Sequence, residues 1–101
     1  MDKDVARFYI TVAQMAEGTD LDTYLRSFIN TDEAWLRQLY TAANRSVKDI
    51  AKDAGLTQTG LAEYFGIPRR TAEDWCRGIS KCPLYTRLMM QEILGLVQRQ
   101  P

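Results

Sequence analysis

The tightest constraint on this chain is a period. Apolar residues return every three or four positions almost from end to end, and glycines stop the runs before any grows long. Val5, Phe8, Tyr9, Val12 and Met15 share one helical face, and Gly18 follows as a stop. Thr19 or Asp20 then caps a second run, Leu21, Tyr24, Leu25, Phe28 and Ile29. In a third, Asn30 or Thr31 is the cap and Asp32 and Glu33 occupy the first turn, where the helix dipole favours anions. Trp35, Leu36, Leu39, Tyr40 and Ala43 form its apolar face. A break at 43–46 puts Ser46 at the cap of a fourth run (Val47, Ile50, Ala51, Ala54) that Gly55 closes; the alternative is one long helix reaching Ala54. Thr57 caps a fifth, with Leu61, Ala62 and Phe65 inward and Gly66 at its end. Pro68 opens a sixth, which Gly78 ends, and Pro83 starts a last helix expected to run to about Gln98. No stretch alternates with the period of two that a strand needs, and no internal repeat or low-complexity tract is visible. The expected fold class is all-α, with six or seven short helices.

Composition narrows the function classes. At 101 residues and 46% apolar content the chain suits one small globular domain. No apolar run approaches the roughly 18 residues that cross a bilayer, and "MDKDVARFYITVAQ" lacks the apolar core and cleavage site of a signal peptide. A cytoplasmic protein without membrane association is the expectation. Histidine is absent, which removes histidine-based nucleophilic pairs and metal sites. Cys76 and Cys82 cannot supply four zinc ligands, match no C-x-x-C redox pair, and are expected to stay reduced. With no glycine-rich phosphate loop and no paired-carboxylate site either, neither an enzyme nor a cofactor or metal is expected.

Formal net charge is zero but unevenly distributed. Residues 1–45 hold five basic and seven acidic side chains, and residues 46–101 hold eight and six. Between Arg69 and Arg87 five basic residues face only two acidic ones, which permits a local anionic partner. One stretch there, "GIPRRTAEDWCRG", has its charges the wrong way round for an isolated helix. Arg69 and Arg70 sit at the positive end of the dipole, costing about 0.3–1 kcal/mol each, while Glu73 and Asp74 come one turn later.

Two short helices, roughly Thr57–Phe65 and Pro68–Arg77, with a glycine-containing connection describe a helix-turn-helix. A side chain larger than Ala62 would force the two apart, and Gly66 permits the sharp turn. The stretch "LTQTGLAEYFGIPRRTAEDWCRG" resembles the helix-turn-helix of the lambda-repressor/Cro-like, or xenobiotic-response-element, family. Leu56-Thr57-Gln58, Leu61-Ala62, Gly66-Ile67, Arg70-Thr71, Trp75 and Arg77-Gly78 carry the likeness, which extends from Ser46 to Val97. The resemblance implies double-stranded DNA as partner and the helix from Pro68 in the major groove. It implies base-reading roles for Arg69, Arg70, Glu73 and Asp74, and backbone-contacting roles for Gln58, Thr71, Arg77, Lys81 and Tyr85. Pro68 departs from the family's polar cap, and Gly60 from its more helix-favouring residue.

The domain reading is therefore 1–45, an N-terminal helical extension, and 46–101, a lambda-repressor-like domain. The resemblance implies a small prokaryotic or phage transcriptional regulator acting as a homodimer. The last helix (Leu84, Tyr85, Leu88, Met89, Met90, Ile93, Leu94, Leu96, Val97) is apolar on more than one face, so either the N-terminal helices or another copy covers part of it. The alternative is an antitoxin-like or anti-defence factor that holds a protein partner through residues 1–45. Phe8, Tyr9, Tyr24, Phe28 and Trp35 motivate it.

Overall fold

The computed structural model describes residues 3–100 and contains seven helices and no strand among them. The helices are α1 (Lys3–Ala16), α2 (Leu21–Arg26), α3 (Glu33–Ala43), α4 (Val47–Asp53), α5 (Gln58–Phe65), α6 (Arg69–Arg77) and α7 (Leu84–Ile93). They divide into two units. The first holds α1–α3 together with the stretch from Val97 onward, and the second spans Arg45–Leu96 and holds α4–α7. None of these helices is long and apolar enough to cross a membrane.

In the first unit α1 and α2 both pack against α3. The buried face of α1 is Tyr9, Val12, Ala13 and Ala16. It is turned from the face read off the apolar residues, because Phe8 is 53% exposed and Met15 is also exposed. The two alanines bring α1 close to its neighbour, and the bulkier side chains fall to the rim. α2 is shorter than expected. It ends at Ser27, so Phe28 and Ile29 lie in a loop where Asn30 adopts a left-handed φ of 57° and Ile29 is 86% exposed. The cap of α3 is Asp32 rather than Asn30 or Thr31, and its carboxylate accepts from the Trp35 N–H. Asn44 fastens the corner after α1. Its side-chain amide donates to the Ala16 carbonyl, and its side-chain oxygen accepts from the Gly18 N–H. Tyr24 is fully buried and donates to the Val12 carbonyl; burial pushes its hydroxyl up to about 12.

The C-terminal stretch was expected to continue the last helix, but α7 stops at Ile93. Gly95 takes a φ of +77°, its N–H bonds the Glu92 carbonyl, and the Leu96 N–H reaches back to the Gln91 carbonyl. These two bonds close the helix, and they need a left-handed residue that only glycine supplies at little cost. Beyond this stop, Gln98 joins the first unit through its backbone: its carbonyl accepts from the Trp35 indole N–H and its N–H donates to the Gln38 side chain.

In the second unit α4 contacts α5, α6 and α7. Its core is Val47, Ile50, Ala51, Leu61, Cys82 and Met90. Ser46 and Thr57 cap α4 and α5 as expected, accepting from the Asp49 and Gly60 N–H groups. A Cβ on residue 60 would lie 3.1 Å from the Thr57 hydroxyl oxygen, which gives glycine a local reason at this helix position.

Both cysteines are free. Burial pushes the Cys82 thiol from 9.0 to about 11, with the Arg87 charge pulling partly the other way. The unfolded thiol ionises first, so this contribution to stability is fully present below pH 9.0 and falls as pH rises toward about 11. Urea midpoints between pH 8 and 11 should therefore drop more steeply for the natural chain than for Cys82→Ala; equal slopes would show that Cys82 carries no such linkage.

Candidate nucleic-acid interface

α5 and α6 pack together across a turn of one left-handed glycine and two following residues. Gly66 has φ +66°, its N–H bonds the Glu63 carbonyl, and the Ile67 N–H bonds the Ala62 carbonyl at 2.9 Å. This pair of bonds ends α5 and fixes the direction in which the chain leaves it. Ala62 and Ala72 are buried, and Ile67, Phe65 and Trp75 pack partly buried against the core.

At about 100° per residue, Arg69, Arg70, Glu73, Asp74 and Arg77 fall within an arc of about 140° on α6, on the side away from buried Ala72. Arg69, Arg70 and Arg77 are exposed, and Glu73 and Asp74 are half-buried. Arg69 pairs with Glu73, Nε to Oε1 at 3.4 Å, with the arginine side chain 74% exposed. An exposed pair of this kind contributes about 0–1 kcal/mol. The matching pair one residue on does not form: Arg70 and the Asp74 carboxylate have no hydrogen bond or ion pair among the described residues. Pro68 stands at the cap of α6 and offers no side-chain acceptor, so the first N–H groups of the helix remain uncapped.

The other sequence-derived positions lie on several elements of the second unit. Gln58 is the first residue of α5 and half-buried, Thr71 is half-buried on the flank of α6, and Lys81 is exposed in the α6–α7 loop. Tyr85 is exposed on α7, where it forms a ridge with Met89 and Ile93, each more than half exposed. Of the five aromatic residues singled out in the N-terminal extension, Tyr9, Tyr24 and Trp35 are buried and Phe28 is half-buried, which leaves Phe8. Phe8 stacks on Trp35 at 6.1 Å.

A polar network within the second unit was not anticipated. Arg87 is 7% exposed; its Nε donates to the Cys82 carbonyl and Nη1 to the Arg45 carbonyl. Arg45 bridges Asp53, at 3.0 Å, and the Gln91 side-chain oxygen, at 2.6 Å. Gln91 is fully buried and donates to the Arg87 carbonyl. The network joins Arg45, two residues before α4, with the end of α4, the α6–α7 loop and α7. Its trace in the sequence is an arginine and a glutamine one turn apart, in core register with Leu84 and Leu88.

No group of three or more metal-binding side chains occurs among the described residues. No family model, curated protein or solved structure matched the chain.

Proposed function

We propose that the second unit binds double-stranded DNA sequence-specifically, as a helix-turn-helix with α6 in the major groove, and that the protein is a small transcriptional regulator. The observation that carries the reading is the outer arc of α6: an unpartnered Arg70 beside an Arg69–Glu73 pair, on a helix whose direction the Gly66 turn sets. An arginine fork matches the O6/N7 edge of guanine. Arg70 can present that fork without first breaking a bond within the protein. Arg69 reaches a base held by Glu73 or released from it, and Asp74 can accept from a cytosine amino group. Gln58, Thr71, Arg77, Lys81 and Tyr85 then hold phosphates. The experiment is selection from random duplexes, with the enriched base pairs compared between the natural chain and its α6 variants. Failure to enrich any sequence would remove the reading.

The same reading calls for two copies on two half-sites about one helical turn apart. Met89 and Ile93 lie exposed one turn apart on α7, an apolar strip that can pack against its own symmetry mate. A chain of zero formal charge brings no net repulsion between copies. Sedimentation should show mass rising with concentration for the natural chain and a monomer for Met89→Asp, whose exposed position spares the fold. A natural chain that stays monomeric throughout would remove the dimer.

A further inference from the structure

The second unit has a cleft of about 380 Å³ where the start of α4, the end of α6 and the α6–α7 loop converge. Val47, Trp75 and Cys82 supply apolar wall, and Ser80, Lys81 and Arg87 supply polar groups; no lining residue is acidic. The volume falls within the range of small-molecule sites, which combine apolar walls with a few placed polar groups. The Arg87 guanidinium is held in place by two backbone carbonyls. The Trp75 indole N–H, the Ser80 hydroxyl and the Lys81 ammonium have no hydrogen-bond or ion-pair partner among the described residues. Three residues with an unused donor, one of them the Lys81 ammonium, thus line a cleft that has no acidic wall.

We propose that this cleft binds a small organic anion, its flat apolar body against Trp75 and Val47 and its carboxylate or phosphate oxygens toward Lys81 and Ser80. A bare inorganic anion would leave the apolar wall in water, and a neutral aromatic would leave the Lys81 ammonium without a counter-charge; a molecule carrying both parts satisfies both. Because Trp75 and Gly78 belong to α6 and its stop, an occupant touches the helix from behind its outer arc. That it would then modulate DNA affinity rests on the function proposed above; the binding itself does not.

Two-dimensional proton–nitrogen spectra of the full chain test this, with the two indole signals assigned through Trp35→Phe. The probes are 1-naphthoate, neutral 1-naphthamide and inorganic phosphate at fixed ionic strength. Naphthoate should move the Trp75 indole signal saturably, and removing either charge, by using naphthamide or Lys81→Gln, should weaken binding about fivefold. Equal binding of naphthamide, equal binding of phosphate, or naphthoate shifts confined to the α7 ridge would each overturn the proposal. A selected duplex serves as a separate arm. If the duplex binds and naphthoate does not, the cleft proposal fails and the DNA function stands; naphthoate binding without any duplex binding gives the reverse.

Discussion

Replacing Arg87 with methionine should destabilise the second unit by about 2–4 kcal/mol, although it removes a buried charge. Two terms compete. Taking a guanidinium out of water is costly, and an apolar side chain of similar length escapes that cost. The carbonyls of Cys82 and Arg45 remain, however, and both accept from this one side chain. Each would keep its desolvation penalty without a donor, about 1–3 kcal/mol apiece, and a thioether cannot donate to either. The loss should win because both acceptors are backbone atoms that no rotamer change can turn toward solvent. Arg87→Lys should fall between, since one ammonium cannot span both carbonyls with the geometry of a fork. Urea unfolding followed by Trp75 fluorescence, in a Trp35→Phe background, reports this unit. The expected result is a lower midpoint at unchanged slope. A midpoint within about 0.5 kcal/mol of the natural chain would show that the carbonyls find other donors.

This network also marks where sequence stops being readable. The helices themselves were visible because each is a local object. Capping residues such as Ser46 and Thr57 act three residues away, and the glycine stops act within five or six. Where two candidates competed for a cap, as Asn30 and Thr31 did, the boundary fell one residue further on, at Asp32. The faces were less legible. Apolarity nominated Phe8 and Met15, while closeness of packing selected Ala13 and Ala16. Arg87 and Gln91 were invisible for a related reason: their partners, Arg45 and its carbonyl, lie more than 40 residues away, and no local pattern encodes that pairing. The end of α7 was misjudged because the apolar run continues through Leu94, Leu96 and Val97. Those residues do pack, but Leu94 does so as the helix cap, and Leu96 and Val97 after the Gly95 turn. The charged residues of α6 were singled out by the resemblance and by the reversed order of their charges along the helix. Whether those charges pair was not legible, since Arg69 finds Glu73 and Arg70 leaves Asp74 alone.

Under the proposed function, that asymmetry makes the two arginines separable in a DNA-binding assay. Arg70→Ala should relax base preference at one position of each half-site by about 1–3 kcal/mol, roughly five- to 150-fold, while leaving preferences elsewhere intact. Arg69→Ala should cost less discrimination, because part of what Arg69 offers a base is already given to Glu73. Glu73→Gln supplies the complementary arm. It releases Arg69 and removes a negative charge from the face proposed to meet DNA, so affinity for all duplexes should rise. Lys81→Gln should instead weaken every duplex alike and reduce the slope of log affinity against log salt by about one. Binding profiles of these four variants over one duplex library, at two salt concentrations, distinguish the roles. Uniform weakening by Arg70→Ala would make that arginine a phosphate contact, and no effect from either arginine would mean that α6 is not the surface that meets DNA.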